Sequence, residues 1–216
     1  MPIYLAVGGL GAVWGLVADR IAARWPAHED GRIRPIDWRT VVVALTGATA
    51  VVAALGRIGT PAPAVHLVIV LVEVLALVLL FATDLDQRLL PDVITLPLIG
   101  LALLAFVLGA GPYVHDLNDL AFAAVAAVVA PLILYAVSIP FGPGAIGQGD
   151  LKLLLSVGLF GGPVRLFFGL VAGAIVAAMA IVVLLAVRRI TLKTYVPYGP
   201  FLIAGAMWAL FGMSET

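Results

Sequence analysis

Residues 64–84 read Ala64-Val65-His66-Leu67-Val68-Ile69-Val70-Leu71-Val72-Glu73-Val74-Leu75-Ala76-Leu77-Val78-Leu79-Leu80-Phe81-Ala82-Thr83-Asp84. A helix needs roughly 20 residues to cross the hydrocarbon of a bilayer. The segment 64–83 supplies that length and then meets a carboxylate. The rest of the chain agrees with a lipid solvent. Of its 216 residues 63% are hydrophobic and 11% charged, more apolar surface than a soluble domain of this size can bury.

Composition also removes several classes of function. Formal net charge is zero, with no basic stripe to suggest nucleic acid. There is no cysteine, hence no disulfide, thiol catalysis or Cys-ligated zinc. His28, His66 and His115 are scattered and make no metal-ligand spacing.

Apolar runs separated by Gly, Pro and charged residues predict eight helices, near 2–18, 40–56, 64–83, 92–110, 117–140, 151–161, 163–187 and 199–213. The sixth is short for a crossing and allows a re-entrant segment instead. Charge distinguishes the two. With eight crossings and the N-terminus outside, Arg20, Arg24, Arg32, Arg34, Arg39, Arg88, Lys152, Arg188, Arg189 and Lys193 are cytoplasmic, and only Arg57 and Arg165 are outside, a split of 10 to 2. If the sixth helix fails to cross, the split is 8 to 4. The positive-inside rule prefers eight crossings. The N-terminal run has no basic segment before it and reads as an N-out anchor rather than a cleaved signal peptide. Residues 1–216 then form one membrane domain, with 19–39 a short cytoplasmic loop whose Trp25 and Trp38 suit the headgroup level.

Two aspartates at the ends of apolar segments attract a functional reading, because carboxylates are costly at a membrane boundary. Asp84 opens Asp84-Leu85-Asp86-Gln87-Arg88-Leu89-Leu90-Pro91-Asp92, and Asp150 closes a run with four glycines in its nine residues from Gly142. Asp86 reads as a solvated loop carboxylate or, so close to Asp84, as an understudy to it. Pro91 suits the first turn of the next helix, where its missing N–H is not needed. Asp92 fits either a cap on that helix or a functional group. The glycines, Gly147 and Gly149 among them, read as a non-helical approach that delivers Asp150 to a cavity mouth; the alternative is a flexible turn with Asp150 as N-cap. Lys152 fits a snorkelling, positive-inside lysine or a cation that favours an ionised aspartate nearby. Tyr195-Val196-Pro197-Tyr198-Gly199-Pro200 is a helix start or a substrate-facing loop. Glu73 lies 11 residues before Asp84, which returns it to nearly the same helix face about 16 Å deeper. It lines a cavity with Asp84 or makes a structural hydrogen bond.

The stretch from Asp84 through Pro91-Asp92 resembles the first active-site motif of the type IV prepilin peptidase family. Gly147-Gln148-Gly149-Asp150-Leu151-Lys152 resembles its GxGDxK motif, and Pro197-Tyr198-Gly199-Pro200 its late Pro-aromatic-Gly-Pro element. The likeness runs over about residues 66 to 210. It implies a membrane-embedded aspartyl endopeptidase with Asp84 and Asp150 as the catalytic pair and Asp86 and Asp92 outside it; Gly147, Gly149, Lys152, Pro91, Asp92 and Glu73 then read as supporting the pair or near substrate. The implied substrates are type IV prepilins or pseudopilins, cut at the cytoplasmic face of a prokaryotic inner membrane, with no metal or organic cofactor. Many members carry a cysteine-containing cytoplasmic domain after the first helix and also methylate the new N-terminus. Here 19–39 is short and cysteine absent, so a peptidase without methyl transfer is expected. Two other readings compete: a proton- or cation-coupled transporter using Glu73, Asp84 and Asp150, and a non-catalytic membrane scaffold. Against the transporter, both motif aspartates sit at one face and the halves show no repeat.

Overall fold

A computed structural model describes residues 2–27, 32–57, 63–141, 146–189 and 198–213. Its elements are α1 (Pro2–Ala22), α2 (Trp38–Arg57), α3 (Ala64–Gln87), α4 (Asp92–Val107), α5 (Leu117–Ser138), a 3-10 turn (Ile139–Phe141), α6 (Gln148–Ala186), α7 (Gly199–Met207) and a closing π-helical turn (Trp208–Gly212). Five helices are long and apolar enough to cross a membrane: α1, α2, α3, α5 and α6. Large apolar side chains such as Val125, Ile133, Phe167 and Val183 point outward and are more than half exposed. In water that surface would be prohibitive; in lipid it is the ordinary outside of a helical polytopic membrane protein.

The sixth and seventh expected helices form one element, α6, broken at Gly162. Its φ of 74° and ψ of 179° are open essentially to glycine alone, and Pro163 follows. The break is a reversal. A Cβ on Gly158 would lie 3.0 Å from Leu166 Cδ2, although eight residues of straight helix separate such positions by about 12 Å. The second half then runs antiparallel to α7. Arg165 Nη1 donates to Ala209 O at 2.6 Å, a Cβ on Gly169 would stand 3.3 Å from Gly205 O, and one on Gly173 would stand 2.7 Å from Phe201 O.

Contacts therefore gather at two ends of the bundle. One end holds Tyr113, Arg165 and the carbonyls of Ala209 and Leu210: the Arg165 guanidinium lies 3.8 Å from the Tyr113 ring centroid, and the Tyr113 hydroxyl donates to Leu210 O. The other end holds the last turn of α3 and the first turns of α4, α6 and α7. Between them runs an apolar core that includes Val74, Leu77, Leu80, Leu153, Ile203 and Leu210, with α3 at its centre.

Several boundaries differ from expectation. The α2 helix begins at Trp38 because Asp37 caps it, its carboxylate accepting the Arg39 N–H at 2.9 Å. The α3 helix continues four residues past Thr83 and stops where Arg88 takes a left-handed conformation (φ 57°), its N–H donating to Asp84 O at 2.9 Å. Asp84 and Asp86 are thus helical, not loop residues. The α4 helix ends at Val107, two residues before Gly109 with its φ of 60°.

Lipid offers no hydrophobic drive between helices, so close backbone packing supplies the cohesion. On α1, Gly11 and Gly15 face α2 so tightly that a Cβ at Gly47 would come 3.1 Å from Gly15 Cα, and one at Gly15 would come 2.6 Å from Ala44 Cα. A bulkier side chain there must force the helices apart, at a cost of about 1–3 kcal/mol or more. Gly47→Leu is expected to lower the thermal unfolding midpoint in detergent by several degrees, whereas Gly9→Ala, whose Cβ would meet nothing within 4 Å, leaves it unchanged.

Candidate functional site

The two motif aspartates come from different helices and meet at one end of the bundle. Asp84 lies in the last turn of α3 and is 5% exposed; its Oδ2 is buried without a hydrogen-bond partner. Asp150 is the third residue of α6 and half-buried, and its Oδ2 accepts the Gly147 N–H at 3.2 Å. The two carboxylates are close enough to interact electrostatically, and Arg88 is close enough to act on Asp84 in the opposite sense.

Three contacts build this meeting. The first is at Gly149, where a Cβ would stand 2.6 Å from Leu90 Cβ and 3.1 Å from Leu90 O. Only a glycine lets the first turn of α6 rest on the residue before Pro91. The second joins the motifs by charge: Lys152 Nζ donates to Asp92 Oδ1 and Oδ2 at 2.6 and 2.7 Å. The third is at Gly199, where a Cβ would lie 2.7 Å from Asp84 Cγ and 2.8 Å from its Oδ1. The bare backbone at the start of α7 forms one wall of the Asp84 site. Beside it, Tyr198 feels both its burial and the Asp150 charge, which together push its phenol above the usual range.

The expected residues are thus found as follows. Asp84, Asp150, Gly147, Gly149, Lys152, Pro91 and Asp92 share one end, with Pro91 as the N-cap of α4 and Asp92 as its first residue. Gln148, Gly149 and Asp150 are helical, so Gly149 and Asp150 do not lie on a non-helical approach. Asp150 is not an N-cap; it reaches back from the third position to the Gly147 N–H. Gly142, Pro143, Gly144 and Ala145 lie outside the described residues, as do His28, Lys193 and Tyr195 to Pro197. Glu73 is fully buried in mid-helix, neither oxygen hydrogen-bonded among the described residues. Among the described residues no group of three or more His, Asp or Glu could hold a metal ion.

Asp86 corrects the sequence reading. It is not solvated: its side chain is 2% exposed and ion-paired to Arg34 Nε at 2.7 Å and Arg39 Nη1 at 2.8 Å. Tyr198, Gly199 and Arg34 also went unassigned. The signal for the first two lay in the Tyr-Gly-Pro element itself. For Arg34 there was none, since an arginine in a polar loop normally faces water.

Comparison with known proteins identifies the family. The chain is 34% identical over 131 residues to a prepilin leader peptidase/N-methyltransferase of Pseudomonas aeruginosa, covering 60% of this chain and 44% of that protein. It is 37% identical over 142 residues to proteins of the same description from Pseudomonas putida (63% of this chain, 47% of the relative) and Aeromonas salmonicida (65% and 48%). The chain therefore spans about half the length of the curated relatives it matches. No solved structure matches it. Residues 71–187, more than half of the 216, match the type IV leader peptidase family, and the chain belongs to that family.

Proposed function

We propose that this protein is a membrane-embedded aspartyl endopeptidase that removes the leader from type IV prepilins or pseudopilins, with Asp84 and Asp150 as its catalytic pair. The observation that carries the reading is that these two carboxylates lie at one end of the bundle within electrostatic reach of each other, with the Gly199 backbone against Asp84. Two carboxylates within electrostatic reach do not both ionise easily; brought together they share one proton and titrate as a unit. One accepts a proton from water as it attacks the scissile carbonyl, and the other donates to the carbonyl oxygen. The aspartate that took the proton from water gives it to the amide nitrogen as the tetrahedral intermediate collapses and the C–N bond breaks, and the other recovers its proton from the carbonyl oxygen. Peptide bond cleavage by this route requires no metal or organic cofactor.

The same reading has eight crossings with the N-terminus outside and the aspartates at the cytoplasmic face of the inner membrane. The reversal at Gly162 supports it, because each half of α6 runs between the two ends of the bundle. The first half, 148–161, is about 20 Å long, short against a hydrocarbon core of roughly 30 Å. A half this short keeps the dyad at or just inside the bilayer edge. A substrate with a soluble basic leader and a lipid-embedded helix presents its scissile bond at that depth. With 19–39 so short and no cysteine in the chain, the proposed activity is cleavage without N-methylation.

Asp84→Asn and Asp150→Asn, each assayed in liposomes on a prepilin with an intact leader, should each lower kcat by about 10²–10⁴-fold; full activity in either removes the dyad assignment. With a methyl donor present, mass spectrometry of the cleaved product should give the unmodified N-terminus. Gly199→Ala should lower kcat at least about tenfold with the protein still folded, since a 1 Å displacement of a reacting group is enough to cost about 10².

A further inference from the structure

The last turn of α3 carries a second carboxylate, Asp86, and what holds it is unusual for a membrane edge. Arg34, from the loop before α2, reaches three aspartates with its three nitrogens. Its Nε pairs with Asp86 at 2.7 Å, its Nη1 with Asp37 at 2.6 Å, and its Nη2 with Asp19. Arg39 adds a second contact to Asp86 at 2.8 Å. Asp19 is 1% exposed and is bound in turn by Arg20 and by the Thr40 hydroxyl at 2.8 Å. Burial works against the charge of Arg34, yet the hydrogen bond and charge of Asp19, followed by the charges of Asp86 and Asp37, hold its pKa above the usual arginine value. This cluster of ion pairs links the carboxylates of Asp19, Asp37 and Asp86 with the guanidiniums of Arg20, Arg34 and Arg39.

Its position on α3 gives it a use. Asp86 is two residues beyond Asp84, and two steps of 100° put their side chains about 200° apart around the helix. Asp86 is drawn toward the loop and α2, while Asp84 faces Gly199 and Asp150 on the other side. Gln87 adds a second tie, donating to Ala22 O at 3.0 Å and Pro26 O at 2.7 Å. These bonds clamp the rotation of a helix end that terminates one residue later.

We propose that Arg34 is a positioning residue: by holding Asp86 against the α1–α2 loop it fixes the rotation of the α3 terminus and aims Asp84 at Asp150 and Gly199. The proposal rests on Asp84 being catalytic, but the orientation it assigns can be measured without catalysis. Arg34 touches no reacting group, so its loss acts on kcat through Asp84 and leaves substrate binding nearly untouched.

The native chain has no cysteine, so a pair introduced by Asp84→Cys and Gly199→Cys reports orientation directly through disulfide yield. Adding Arg34→Gln to that pair should cut the yield by more than half. In the otherwise native enzyme, Arg34→Gln should lower kcat about 10–100-fold with KM within about threefold, and Arg34→Lys, which keeps the charge but not the three-way fork, should fall between. Asp86→Asn is the second variant should Arg34→Gln fail to fold, and it should reduce the disulfide yield likewise. An unchanged yield and unchanged kcat in Arg34→Gln overturn the positioning role. Full activity of Asp84→Asn overturns the catalytic reading instead, and the disulfide measurement still decides the geometry.

Discussion

The structure depends on how closely bare backbone comes to a carboxylate at Asp84. A buried, partly unpartnered oxygen is costly in any protein interior, and more so where the surrounding solvent is lipid. Here it is held by a helix in the middle of the bundle, with the Gly199 backbone against one side and a second aspartate within electrostatic reach. Everything that makes the contact possible serves that approach. Gly149 lets α6 touch Leu90, Lys152 ties α6 to α4 through Asp92, and the Gly169–Gly173 face seats α7 on α6.

Much of this was legible in the residues, because lipid restricts the choices. Apolar length located every helix, and glycine with proline marked the break between the two halves of α6. The two aspartates and the Tyr-Gly-Pro element were recognisable because charge and irregular backbone are rare in such a chain. Boundaries were less legible. Periodicity closed the third helix at Thr83 and opened the sixth at Leu151, whereas the helices reach Gln87 and start at Gln148. In both places tertiary contact overrides local preference: ion pairs to Asp86 and side-chain hydrogen bonds from Gln87 hold the helical turn, and packing on Leu90 makes Gly149 an asset instead of a breaker.

The ion-pair cluster was the part that pattern reading could not reach. Arg34 and Asp86 are 52 positions apart (86 − 34), and each sits in a polar stretch where a solvated charge is the ordinary expectation. Only the fold shows that both are enclosed. Enclosed ion pairs of this kind give register rather than large net stability, since desolvation offsets most of the Coulombic gain. Its value lies in a fixed angle. The contrast with Glu73 is instructive: that carboxylate, buried alone, is predictable from sequence as an anomaly, yet no contact among the described residues assigns it a task.

The reversal at Gly162 makes the two halves of α6 resemble tweezers. One tine carries Asp150 at its tip, and the other is zipped to α7, which presents Gly199 to Asp84. They are joined by a single residue at the far end, where Arg165 and Tyr113 grip the end of the chain's last helical turn. With a tine about 20 Å long, a rotation of about 5° at the joint moves its tip by roughly 2 Å. Displacements of that order are what separate a productive from an unproductive approach of reacting groups. The opposite end of the bundle, remote from the two aspartates, thereby has mechanical leverage over the distance between them.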